Sequence, residues 1–114
     1  MTTTPITDET ILEVARRFGA EVIEPQAEAW NAAGHAPRQF FAQAAEVGLC
    51  RLIVPREHGG AALGVATMAE VTGALARHCL ASTFALVVHN NLAGAIARYG
   101  NTAQRERYLP ALMR

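Results

Sequence analysis

Four histidines and two cysteines are the residues of this sequence whose side chains could hold a metal or carry acid–base chemistry. They are His35, His58, His78, His89, Cys50 and Cys79. Metal sites built from such residues use short, regular spacings, as in HxxxH, HExxH or CxxC. None of these spacings occurs here, and neither the GxSxG turn of a serine nucleophile nor a P-loop is present. The sequence therefore predicts no metal site and offers no nucleophile motif.

Three consecutive polar residues, His89, Asn90 and Asn91, interrupt an otherwise apolar helical segment. Polar side chains that are buried in such a segment must find hydrogen-bond partners, because burying them unpaired costs free energy. Two interpretations are open for His89. It holds the structure together through a hydrogen bond, or it lines a ligand cavity.

Composition limits the class of protein. The chain has 114 residues, the size of one domain, with 51% apolar and 18% charged residues, which excludes a disordered chain. Ten arginines balance ten acidic residues and there is no lysine, which argues against a nucleic-acid partner. No unbroken apolar run approaches the roughly 18 residues of a membrane span, and segment 1–5 lacks the basic start of a signal peptide. We expect a cytoplasmic protein with two reduced cysteines and no membrane partner.

Helical signals dominate the chain, in which 23 residues are alanine. Apolar residues at helical spacing predict five helices, an all-α, bundle-like domain over 1–114, with no convincing strand. The first helix follows the N-cap Thr7 and runs to about Ala33, with a kink at Pro25 and a stop at Gly34. The predicted elements are 8–33, 37–48, 65–79, 82–99 and 102–113. Residues 49–54 form a short buried connection, and 55–64 form a glycine-containing loop.

Capping signals set the predicted helix starts. Thr67 with Glu70 matches a capping box near the third helix, and Ser82 is the expected N-cap of the fourth. Asn101 with Gln104 is a weaker relative of the box before the last helix. On the first helix, Ile11, Ala15, Phe18 and Val22 form the predicted buried face, whereas Glu21, Glu24 and Glu28 form a solvated one.

From about Phe40 the chain resembles the N-terminal helical domain of acyl-CoA dehydrogenases. Three stretches carry the resemblance in the family's order: GLCRLIVPREHGG at 48–60, ALARHCLAST at 74–83, and VHNNL at 88–92 continuing through YG at 99–100 to QRERYLP at 104–110. The sequence departs from the family pattern at two places. Thr72 and Gly73 replace a frequent Glu-Glu pair, and Ala62 stands where the family often has glycine.

The resemblance implies a role as part of a larger flavoenzyme. Members of the family combine this domain with a middle β-domain and a C-terminal helical domain, and hold FAD and an acyl thioester among the three. We also expect a homo-oligomer, formed through this domain or the others. The catalytic base and most FAD contacts come from those other domains. By this resemblance the chain has no catalytic residue, needs no cofactor alone, and is inactive alone. Its fourth helix forms part of the acyl-chain wall through Phe84, Val88 and Leu92. His89 and Asn91 are further candidates for the cavity or the flavin side.

Two other functions remain open from sequence. A helical interaction module without enzymatic activity would have to cover its apolar surface, for instance as a homo-oligomer. A flavin monooxygenase or oxidase could use the same N-terminal domain. The apolar character of the fourth helix also predicts that Leu92→Asp impairs folding or solubility, because it places a charge on an apolar stripe.

Overall fold

The computed structural model describes residues 6–114, and the segment 1–5, on which the absence of a signal peptide was predicted, lies outside the described residues. Six α-helices follow one another: α1 Asp8–Phe18, α2 Ala27–Ala33, α3 Arg38–Glu46, α4 Val65–Ala76, α5 Leu80–Tyr99 and α6 Thr102–Met113. A π-helical turn, Gly19–Ile23, extends α1, and a short 3-10 turn, Arg56–His58, lies in the long loop. No strand occurs between residues 6 and 114. The all-α prediction is confirmed.

The long first helix of the prediction is divided into α1 and α2, which is why six helices replace five. The backbone leaves the helix in a turn over residues 24–26, around Pro25, whose ring prevents a continuous helix. Gly34 ends α2 in the left-handed conformation at φ 83°, as predicted. The predicted kink is therefore a break between two separate helices.

The π-helical turn changes which residue of this segment is buried. Ile11, Ala15 and Phe18 are buried as predicted, but Val22 is only half-buried and Ile23 is completely buried in its place. One extra residue per turn shifts the helical face by one position, which accounts for the exchange. The ring of His78 lies directly on this turn. A Cβ atom at position 19 would lie 2.4 Å from His78 Cδ2.

The predicted cap Ser82 is wrong, and the capping box at Thr67 does not form. The predicted starts of α4 near Val65 and of α6 after Asn101 are confirmed. Ser82 is inside α5, not at its cap, because the connection from α4 is short and the helix begins at Leu80. Thr67 is inside α4 and donates a hydrogen bond to Asp8 Oδ2 at 2.9 Å, so it joins α4 to α1. Asn101 and Gln104 form the complete capping box before α6.

Helix α1 packs on α4, α4 packs on α5, and α5 packs on α6. The main core lies among α1 to α5 and the connection after α3. A second, smaller cluster lies between α5, α6 and the connection after α3. It consists of Val54, Ala93, Ala97 and Leu109. α5 contributes to both clusters, so it is the central element that positions the candidate site residues.

Candidate functional site

The α5 stripe, defined as Phe84, Val88 and Leu92, is exposed. These side chains are 67%, 51% and 51% exposed, although the opposite face of α5 is buried. Spacing of four residues places them along one side of the helix. A stripe that packed only on neighbouring helices of this domain would be buried, and these three side chains are not. Because a charge at Leu92 can reach water, the expected damage of Leu92→Asp to folding no longer follows.

His89 is directed away from the stripe and towards the end of α6. Its Nε2 lies 2.5 Å from the carbonyl oxygen of Leu112, and its ring lies 5.8 Å from that of Phe41. The side chain is half-buried between these two elements. This geometry supports the structural interpretation of His89, since its Nε2 is already engaged.

The two asparagines that follow have opposite surroundings. Asn91 is exposed, and it borders the stripe because it follows Val88 by three residues. Asn90 is completely buried: it accepts from Leu52 N–H at 2.9 Å and donates to the Leu49 carbonyl at 2.8 Å. Nδ2 also donates to the Leu86 carbonyl, at 3.0 Å. Asn90 therefore fixes the connection after α3 onto α5. Only the general need for hydrogen-bond partners signalled this role in the sequence.

Neither the histidines nor the cysteines come together in a ligand set. In the described part of the chain, no three His, Cys, Asp or Glu side chains could hold a metal ion. His78 instead contacts Glu24, with 2.6 Å between Nδ1 and Oε2. Glu21, Glu24 and Glu28 are all exposed, as the sequence predicts. Both cysteines are free thiols.

Cys50 and Cys79 are expected to react at very different rates. Burial raises the pKa of the Cys50 thiol from 9.0 to about 11, and the residue is 1% exposed. Because the thiolate is the reactive form, Cys50 should resist alkylation at pH 8, whereas half-buried Cys79 should react. Counting labelled thiols by mass spectrometry should give one per folded chain and two in denaturant.

A Cys79→Ser variant is the control for this experiment and should show no prompt label. Two promptly labelled thiols in the folded chain would contradict the buried position of Cys50. The same pKa shift has a consequence for stability. The unfolded chain loses this proton first, so the contribution of Cys50 is complete below pH 9 and is lost as pH rises towards 11.

Helix α5 also meets the length and composition criteria of a membrane span, alone among the helices of residues 6–114. Its sequence has no unbroken apolar run of that length, because His89, Asn90 and Asn91 interrupt it. Core helices of globular proteins satisfy the same two criteria, so length and composition alone do not make α5 a membrane helix. The hydrogen bonds of Asn90 and the packing of α4 and α6 bury one side of α5, and 39% of its apolar window is buried.

Comparison with protein families gives a match across almost all of the chain. The model described as "Acyl-CoA dehydrogenase, N-terminal domain" matches residues 6–114. The chain belongs to the acyl-CoA dehydrogenase family. The resemblance found in the three sequence stretches is thereby confirmed.

Curated members of the family resemble the chain over most of its length. An acryloyl-CoA reductase (NADH) of Anaerotignum propionicum is 33% identical over 104 residues, which cover 91% of this chain and 26% of that protein. A mitochondrial isobutyryl-CoA dehydrogenase of Dictyostelium discoideum is 33% identical over 100 residues, covering 88% and 24%. The chain thus spans about a quarter of the length of these relatives.

Solved structures of other proteins have the same fold. A chain from a structure of an electron transferring flavoprotein of Acidaminococcus fermentans superimposes with a TM-score of 0.82. A chain from an FAD complex of PigA gives 0.81. In each case 99% of this chain is covered, against 30% of the other, at 23% identity. This level of identity shows the shared fold alone.

Proposed function

We propose that this chain is the N-terminal domain of an FAD-dependent acyl-CoA dehydrogenase and that α5 forms part of the wall of its acyl-chain cavity. The observation that carries the proposal is the exposed α5 stripe, three large apolar side chains at regular spacing on a helix whose other side is core. Exposed apolar surface of this kind marks a ligand groove or an interface. The names of the relatives, dehydrogenases and a reductase acting on CoA thioesters, favour this function over a monooxygenase.

The residues described here do not fit an FAD site by themselves. Among them, every buried side-chain nitrogen and oxygen already has a hydrogen-bond partner within the chain. Of the two candidates, His89 has its Nε2 engaged by Leu112, and only exposed Asn91 is available. We therefore assign the cofactor to a middle β-domain and a C-terminal helical domain of the complete protein, and derive no catalytic step from this chain.

Inactivity of the chain alone is tested by purification. The 114-residue protein should carry no visible flavin absorbance and should not reduce a redox dye with any acyl-CoA. The reading frame beyond codon 114 should encode the missing domains. A stoichiometric yellow chromophore on the purified chain would contradict the assignment of FAD to other domains.

The cavity wall is tested by a charge on the stripe in the complete enzyme. Phe84→Asp should lower kcat/KM for acyl-CoA at least tenfold while flavin content stays unchanged, because a carboxylate in an apolar cavity disfavours the acyl chain. Ala103→Asp is the matched control, on the exposed surface of α6. Equal activity of the two variants would show that α5 does not line the cavity.

A further inference from the structure

Residues 19–24 adopt a helical register that their own sequence does not favour. The apolar spacing along α1 continues to Val22 if the helix stays α-helical, but a π-helical turn, Gly19–Ile23, buries Ile23 instead. The N–H of Glu24 closes this turn by donating to the Gly19 carbonyl at 2.8 Å. Such turns are rare within helices and concentrate at functional positions. A contact from elsewhere in the chain therefore has to select the π register.

One side chain, His78, contacts both ends of the turn. At the first end Gly19 is buried, and a Cβ atom added there would overlap the His78 ring. At the other end, His78 Nδ1 lies 2.6 Å from Glu24 Oε2. The His78 side chain is 22% exposed and that of Glu24 is 61% exposed. The ring therefore needs a glycine beneath it, and its polar contact depends on where Glu24 points.

The contact with Glu24 belongs to the π register alone. Each residue of an α-helix is rotated by about 100° from the one before it. If residues 19–23 formed an α-helical turn, the side chains that follow would change places by one position. Ile23 would then face His78 where Glu24 faces it now. Because isoleucine offers no acceptor to the imidazole, the α register loses the hydrogen bond that the π register has.

Little else separates the two registers. Val22 and Ile23 are both β-branched and differ by one CH₂ group, so either side chain can fill the same core position. The segment that follows, residues 24–26, is a turn around Pro25 and not a helix. It can therefore take up a shift of one residue before α2 begins at Ala27. Two packings of one sequence that differ little in free energy form a two-state element.

We propose that residues 19–24 form a two-register switch, in which His78 holds the π register and loss of its contact with Glu24 releases the α register. The exchange turns Val22 inward and Ile23 outward. Val22 lines two surface cavities, of about 300 and 230 Å³, so the exchange reshapes this surface. Because Glu24 is exposed, a cationic group from outside can compete with His78 for its carboxylate. The switch is independent of the function of the α5 stripe.

Thiol labelling reads the register directly. Val22→Cys and Ile23→Cys are made separately in a Cys79→Ser background, in which buried Cys50 stays unreactive. With His78 in place, half-buried position 22 should be alkylated at least tenfold faster than buried position 23. In His78→Ala the order of the two rates should reverse.

Glu24→Ala tests the same contact without opening a cavity, because Glu24 is exposed. It removes the acceptor and should also reverse the order of the two rates. Two matched variants should leave the order unchanged: Glu28→Ala, which removes an exposed carboxylate of α2, and His58→Ala, which removes a half-buried histidine of the glycine loop. Circular dichroism of each variant checks that the helices are intact.

Gly19→Ala provides a measurement that does not depend on labelling. With His78 present, the added Cβ overlaps the ring, so the melting temperature should fall. In the His78→Ala background the ring is absent and alanine favours the α-helix over glycine, so the same change should raise the melting temperature. A fall in both backgrounds would contradict a released α register.

The proposal is wrong if position 22 still reacts at least tenfold faster than position 23 in both His78→Ala and Glu24→Ala. The π register would then be held by the packing of α1 on α4 without His78. Reversal in Glu28→Ala or His58→Ala would also overturn it, because the register would then respond to any change of charge or packing.

Discussion

Asn90→Ala is expected to lower the free energy of unfolding by about 3 kcal/mol. The substitution leaves Leu52 N–H and the Leu49 carbonyl without their partners in a site of zero exposure. A buried polar group that loses its hydrogen bond costs about 1–3 kcal/mol, and two such groups are affected. Urea unfolding followed by circular dichroism measures the loss.

Asn91→Ala provides a matched control one residue away. Asn91 is exposed, so the same change should alter stability by no more than about 0.5 kcal/mol. Hydrogen exchange adds a local readout: the Leu52 amide should lose protection in Asn90→Ala only. If the two variants unfold at the same urea concentration, the connection is not held by Asn90.

Local signals in the sequence predict helices well here, because each helix carries its own apolar spacing or cap. The Asn101–Gln104 box and the glycine stop at Gly34 depend on residues only a few positions apart, and both are confirmed. Ser82 fails as a cap because the start of α5 is decided by how short the connection from α4 is. Helices α4 and α5 also pack on one another, a contact that the local residues do not show.

Features that join distant residues could not be predicted. The partners of Asn90 lie 38 and 41 residues away in the chain, so no local pattern points to them. The π-helical turn that buries Ile23 in place of Val22 lies against the ring of His78, which belongs to another part of the chain. A cavity between the corner of α2 and α3 and the start of α5 likewise combines Trp30 with Ala85, and only the fold brings them together.

The conformation of the glycine loop, residues 55–64, could be predicted from the sequence only in part. The sequence comparison with the family marks Ala62 as standing where glycine is frequent, and the structure places this alanine at φ 53°. A left-handed conformation costs a non-glycine residue roughly 1–2 kcal/mol, which explains the frequency of glycine there. The departure leaves the fold intact because three hydrogen bonds, including Ala62 N–H to the Val54 carbonyl, hold the loop against residues 51–54.

Gly60→Ala should destabilise the chain by about 3 kcal/mol, at the upper end of the cost of overpacking. A Cβ atom at this position would lie 1.9 Å from the carbonyl oxygen of Val54 and 2.4 Å from its carbonyl carbon. These are backbone atoms, so no side-chain rotation relieves the clash. The loop would have to move away and break the bond from Ala62 N–H to the Val54 carbonyl, 3.0 Å long.

Gly73→Ala is the opposite case and the control for this prediction. Gly73 lies exposed within α4, and an added Cβ meets no atom within 4 Å. Alanine there should raise stability by about 0.5–1 kcal/mol, because it reduces the backbone freedom of the unfolded chain. Thermal unfolding of the two variants should therefore shift in opposite directions. A Gly60→Ala variant as stable as the unmodified chain would show that Gly60 does not pack against the Val54 carbonyl. The loop would then not be what holds Val54 in the second core cluster.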